Sequence, residues 1–275
     1  MKNILILTDF SDNATLAARY AFLLADKKGI ENITFLHANQ TVEAITNSPM
    51  VTVTFEDLHE DAVKMMTQWK SELFNNITTT AKTHFLVEHI NLESGLNKIC
   101  EDHNIDLVVM GISGKTGWEK VVIGSNAVRV LENCNKPLLI IPNSSEIKYP
   151  GKVLLATDLK DVKVKLESTI LDDFLSSTNV SLDVVNVSDG ESDFVDLRHE
   201  IKDIFGLLEK YNPQFHYKTN SDVAEEINLF AIRNHSDIIV TVHKRRNWFS
   251  NLFRSSISKK LAWYSKVPLL VIPIE

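Results

Sequence analysis

The feature that most restricts the fold is an internal repeat. Lys2-Asn3-Ile4-Leu5-Ile6-Leu7-Thr8-Asp9 returns as Gly151-Lys152-Val153-Leu154-Leu155-Ala156-Thr157-Asp158, with the two aspartates 149 residues apart. Later in each copy, Lys136-Pro137-Leu138-Leu139-Ile140-Ile141-Pro142 returns as Val267-Pro268-Leu269-Leu270-Val271-Ile272-Pro273, with the matching prolines 131 residues apart. Matching ends around a shorter interior mark a duplication whose second copy lost length inside. A chain of 275 residues then divides into two domains of ordinary size, predicted at 1–146 and 147–275. Asn143–Pro150 is polar, closes on proline and reads as the linker.

Each copy alternates short apolar runs with amphipathic segments, which predicts parallel strands joined by helical crossovers. In the first copy strands are expected at Lys2–Thr8, Ile33–His37, Phe85–Val87, Leu107–Met110 and Leu138–Ile141. Ser11 or Asp12 can cap a first helix of small residues (Ala14, Ala17, Ala18, Ala21, Ala25) that Gly29 ends. A long helix carries the apolar stripe Leu58, Ala62, Met65, Met66, Trp69 and Leu73, read as core. In the second copy strands are expected at Val180–Val185, Phe215–Tyr217 and Ile238–Val242, and helices at Leu166–Leu175, Val195–Leu208, Val223–Ile232 and Ser256–Trp263.

The candidate site lies in Asp106–Pro142. An apolar strand runs into Gly111, Gly114 and Gly117, and a further apolar stretch leads to Gly124-Ser125-Asn126 before the helical pattern from Ala127 to Leu131. Strand, glycine-rich turn, helix and strand is the layout of a ligand site at the C-terminal edge of a parallel sheet. Glycines let a ligand lie against bare backbone, and the helix start at Gly124-Ser125-Asn126 offers N–H groups to an anion. Lys115 adds a candidate cation. The spacing is not that of a phosphate-binding P-loop, and glycines that merely tighten strand–helix connections remain the plainer reading of any one of them.

Gly111, Gly114, Gly124 and Ser125 resemble, residue by residue, the nucleotide-binding pattern of the universal stress protein family. Asp9 in Ile4-Leu5-Ile6-Leu7-Thr8-Asp9 resembles the aspartate of its first strand. The whole chain resembles two such domains in tandem. The resemblance implies two Rossmann-like (adenine nucleotide alpha hydrolase-like) α/β domains, each a five-stranded parallel sheet flanked by helices. It also implies binding of ATP, or of AMP or ADP, with or without Mg2+, dimerisation and a role in stress response. On this reading adenosine lies between Asp9 and the strand exit at Ala38 and Asn39. Gly111 and Gly114 make room for ribose and phosphates, and Gly124, Ser125, Asn126 and Lys115 meet the phosphates.

Aligned from the final proline, the second copy places Val242, Arg245, Ser255 and Ser256 where Gly111, Gly114, Gly124 and Ser125 stand. Side chains replace bare backbone there, so a degenerate second domain without ATP is expected, although an arginine can also recruit phosphate. Asp158 survives, as a site residue or as a turn or cap former. His243-Lys244-Arg245-Arg246-Asn247-Trp248-Phe249 sets basic residues beside aromatics, readable as a phosphate or nucleic-acid contact, as solvated surface, or as an interface.

A net charge of -7 gives no general attraction to nucleic acid or anionic membrane. No apolar run approaches a membrane span, and no secretory leader is visible, so a cytoplasmic protein is expected. Cys100 and Cys134, both placed in helices, read as buried thiols rather than a disulfide. His37, His84 and His89 show no metal spacing and read as structural. No catalytic residues or metal ligands are assigned. A nucleotide-loaded stress or signalling protein is the leading expectation, against an interaction protein with a vestigial site or a slow ATP hydrolase. The terminal strands Leu138–Ile141 and Leu269–Ile272 are expected to pair within one chain about a pseudo-two-fold axis, with Val130 and Leu261 nearby, and a homodimer beyond that is compatible with the sequence.

Overall fold

The computed structural model describes residues 1–39, 55–75, 77–112, 125–158, 169–176, 180–188, 198–244 and 257–274. Two compact units divide them. The first carries β1 (Asn3–Leu7), α1 (Asp12–Lys28), β2 (Asn32–Ala38), α2 (Phe55–Phe74), β3 (Lys82–Glu88), α3 (Leu92–Asp102), β4 (Leu107–Ile112) and α4 (Ser125–Asn133). The second runs from Pro137, with β5 (Leu138–Pro142), β6 (Lys152–Ala156), α5 (Thr169–Leu175), β7 (Ser181–Ser188), α6 (Arg198–Leu208), β8 (Gln214–Thr219), α7 (Val223–Arg233), β9 (Ile238–Lys244), α8 (Ile257–Tyr264) and β10 (Leu269–Ile274).

In the first unit the strands run parallel in the order β3-β2-β1-β4. β1 lies between two neighbours, and Ile4, Leu5 and Ile6 are wholly buried. That burial on both faces is why it reads as a continuous apolar run. Ser11 caps α1 by accepting from the Ala14 N–H at 3.3 Å, which decides between the two expected caps. Gly29, at φ 65°, takes the left-handed position that ends the helix. The second unit orders its strands β8-β7-β6-β9-β10-β5, parallel except for the last pair. There Leu269, Leu270 and Val271 pair antiparallel with Ile140, Leu139 and Leu138, so the two terminal strands meet as expected and β5 groups with the second unit.

The repeat read from the sequence is also a repeat of register. Asn3 pairs with Asn32 and Lys152 with Ser181, each an offset of 149. Ile4 pairs with Leu107 and Val153 with Ile238, offsets of 149 and 131. Asp106 accepts from the Lys2 and Asn3 N–H groups, the latter at 3.0 Å, and Asp237 accepts from Gly151 and Lys152 at 2.9 and 2.8 Å. Each aspartate thus stitches the start of the first strand in its copy to the start of the fourth.

Asp237 also meets the Lys148 ammonium at 2.9 Å. Burial would raise its pKa, but Lys148 and the two N–H groups outweigh burial and hold the carboxyl below its ordinary value of 3.8. A depressed carboxylate contributes stability that is complete above the unfolded-state pKa and is lost as pH falls through the folded one. Asp237→Asn is therefore expected to lower stability at neutral pH and to flatten the loss of stability below about pH 4. Urea midpoints measured from pH 2 to 7 check this; an unchanged acid limb contradicts it.

Two expectations need correction. On α2, Ala62, Met66, Trp69 and Leu73 are buried, but Leu58 is 37% and Met65 52% exposed. The buried positions form one narrow stripe; Met65 is rotated 100° from Met66, and Leu58 precedes the first buried turn. Cys134 lies just beyond α4 rather than within it. Both thiols are buried and unbridged. The Cys134 thiol as hydrogen-bond partner, followed by burial, pushes the Cys100 thiol up, which makes it a poor nucleophile.

Candidate functional site

β1 leads through α1 to β2 on one side, whereas β4 pairs on its other side, so a crevice opens where the chain changes direction. That switch point, at the C-terminal ends of the strands, is where open α/β sheets bind ligands. The cleft found there has a volume of about 150 Å³. Leu7, Thr8 and Asp9 form one side, Leu36, His37 and Ala38 another, and Met110 and Gly111 the floor. Ala14, Leu92 and Asn126 come from helix starts.

Asp9 follows β1 in an exposed turn. Its Oδ1 accepts from the Ser11 N–H at 3.1 Å and from the Ser11 hydroxyl at 2.5 Å. The next residue, Phe10, has φ 66°, rare for a bulky side chain, and its N–H donates to Thr8 Oγ1 at 3.0 Å. The turn is thus built from its own side chains, and the cap that Asp9 steadies opens α1. Ala38 closes β2. Asn39 follows it and does not line the cleft; its Nδ2 donates to the Leu58 carbonyl at 3.2 Å and its N–H to the Glu88 carbonyl at 2.8 Å, so it ties β2 to α2 and β3.

Gly111 is explained by contact rather than by φ. A Cβ built on it would lie 2.1 Å from the Asn13 carbonyl oxygen and 3.1 Å from the Ala14 nitrogen. The first turn of α1 fits against β4 only because position 111 has no side chain. The room expected there for ribose is taken by the protein's own backbone, and the glycine serves the cleft by letting Ala14 form its wall. Ser125 begins α4 and Asn126 in its first turn reaches the cleft. Gly114, Lys115 and Gly124 lie outside the described residues, as do Arg245, Ser255, Ser256 and most of the basic segment after His243.

The structure therefore brings Asp9, Ala38, Gly111 and Asn126 into one cleft. Thr8 and Leu92, which carry no site pattern in the sequence, also line the cleft, as does His37, expected only as a structural residue. His37 Nδ1 lies 2.9 Å from the Thr8 carbonyl oxygen and its ring stacks on Phe10 with centroids 4.4 Å apart. The available signal was its place beside Ala38 at a strand exit.

In the second unit the register puts Val242, half-buried, at the position of Gly111. Thr241 pairs with Ala156 just as Met110 pairs with Leu7. The cleft of the first copy depends on a bare backbone that the second copy does not have.

Among the described residues no helix is long and apolar enough to cross a membrane. A model of the universal stress protein family matches residues 1–142 and again 151–273. Universal stress protein MJ0531 of Methanocaldococcus jannaschii is 30% identical over 145 residues, covering 51% of this chain and 81% of that protein. Universal stress protein MJ0577 of the same organism is 27% identical over 161 residues, 51% of this chain and 94% of that protein. The crystal structure of a universal stress protein from Archaeoglobus fulgidus shares the fold across both copies, with a TM-score of 0.72, 18% identity and 98% of each chain covered. With both copies matched by the family and the same fold found along the whole chain, this protein belongs to the universal stress protein family, as a tandem of two of its domains.

Proposed function

We propose that residues 1–146 form a nucleotide-binding domain that takes ATP, or its products ADP and AMP, and that residues 147–275 form a degenerate partner that takes none. The observation that carries the reading is the convergence of Asp9, Gly111 and Asn126, from three separate stretches of sequence, on one cleft at the sheet's switch point. Asp9 and Ala38 face the adenosine. The start of α4 offers N–H groups to the phosphates, with Gly114, Lys115, Gly124 and Ser125 assigned there from the sequence pattern, and any Mg2+ arrives with the nucleotide. The protein acts by being loaded and unloaded, as a stress or signalling component of the cytoplasm rather than as a dedicated enzyme.

Mass spectrometry of small molecules released from the purified full-length protein tests this reading. Adenine nucleotide at up to one equivalent per chain is expected, with an Asp9→Ala protein retaining at least about tenfold less, the equivalent of about 1.4 kcal/mol. Protein that carries no adenine nucleotide and takes up none when ATP is added contradicts the reading.

A further inference from the structure

We infer that His37 is a positioning residue for the cleft, a clamp on the turn between β1 and α1 that presents Asp9; this rests on the nucleotide reading above. The imidazole touches the residue on each side of Asp9. Nδ1 donates to the Thr8 carbonyl at 2.9 Å, and the ring face stacks on Phe10 at 4.4 Å with the planes 25° apart. Phe10 is the residue held at φ 66°, a conformation that persists only where its surroundings hold it. Because a carbonyl can only accept, Nδ1 carries the proton whether the ring is neutral or charged.

The second copy supports the division of labour. Asn186, at the position of His37, donates from Nδ2 to the Thr157 carbonyl at 3.0 Å, and the Thr157 N–H bonds the Val185 carbonyl as the Thr8 N–H bonds Leu36. The same hydrogen bond is thus made by a different side chain. Phe10, however, is matched by Leu159, so the copy without the cleft pattern lacks an aromatic residue for stacking. Hydrogen bonding at this position goes with the fold, whereas stacking goes with the site.

His37→Asn, His37→Phe and His37→Leu in the full chain separate the two contacts. Two readouts are needed: ATP affinity by calorimetry, and hydrogen–deuterium exchange of the Phe10 and Ser11 amides, which needs no ligand. Asparagine keeps the hydrogen bond and should hold exchange within about threefold of wild type while weakening ATP by about threefold. Phenylalanine keeps only the stacking, and leucine neither; leucine should accelerate turn exchange and weaken ATP by at least about tenfold, with phenylalanine in between. Unchanged exchange in the leucine protein, or equal losses in the asparagine and leucine proteins, overturns the clamp. If leucine prevents folding, the asparagine and phenylalanine proteins decide by the same criterion. Wild-type protein that binds no ATP removes the nucleotide reading, while the exchange pattern still decides the clamp.

Discussion

Gly111→Val, which gives the first copy the residue found at the matching register of the second, is expected to weaken ATP binding by roughly a hundredfold, about 2.8 kcal/mol, and to destabilise the first unit by about 3 kcal/mol. The effect is steric. A Cβ at 111 would stand 2.1 Å from the Asn13 carbonyl oxygen and 2.4 Å from its carbon. Backbone in a capped first turn cannot rotate aside as a side chain can, so the start of α1 must lift from β4. Ala14 and the Ser11–Asp9 turn move with it, and the wall of the cleft goes with them. Calorimetry with ATP and urea unfolding measure both effects. Wild-type affinity in a folded Gly111→Val protein contradicts the proposed geometry.

Phe35→Ala should be among the most destabilising core changes, at about 3–5 kcal/mol and a fall of roughly 10 °C in the melting of the first unit. Phe35 is wholly buried and stacks on Phe85 with centroids 4.8 Å apart. It meets Phe22 at 6.0 Å and Trp69 at 5.5 Å edge to face. The ring joins α1, α2 and β3 to the middle of the sheet. Trp69 continues that link by donating from Nε1 to Thr15 Oγ1 at 2.9 Å, so emptying the site of Phe35 loosens both helices. Met65→Ser on the exposed side of the same α2 should change stability by no more than about 0.5 kcal/mol. Equal effects from the two substitutions would show that the assignment of the α2 faces is wrong.

What the sequence disclosed follows from how each element is buried. β1 and β10 lie between neighbouring strands, and β4 and β5 are buried almost throughout, so their apolar runs and the repeat stand out. β3 and β8 lie at the ends of the strand orders, and their mixed patterns, with Lys82, His84 and Lys218 among the apolar residues, shorten the expected strands to Phe85–Val87 and Phe215–Tyr217 where seven and six residues form them. The α2 stripe was read too widely because a pattern of apolar residues does not say how narrow the contact is. In the site, glycine at 111 announced a close approach of backbone, but nothing in the sequence said that the approaching backbone was that of α1. The place of Thr8 and His37 in the cleft is not legible in the sequence, because a hydrogen bond from a side chain to a strand-end carbonyl leaves no periodic trace.

The proposed function assigns one nucleotide site per chain, in the first copy, and none in the second, where Val242 stands at the position of Gly111. Calorimetric titration of the nucleotide-free full chain with ATP tests it most directly. One equivalent bound per chain, abolished by Gly111→Val and unaffected by Val242→Ala, is the predicted result; two equivalents, or one that persists in the Gly111→Val protein, would contradict it.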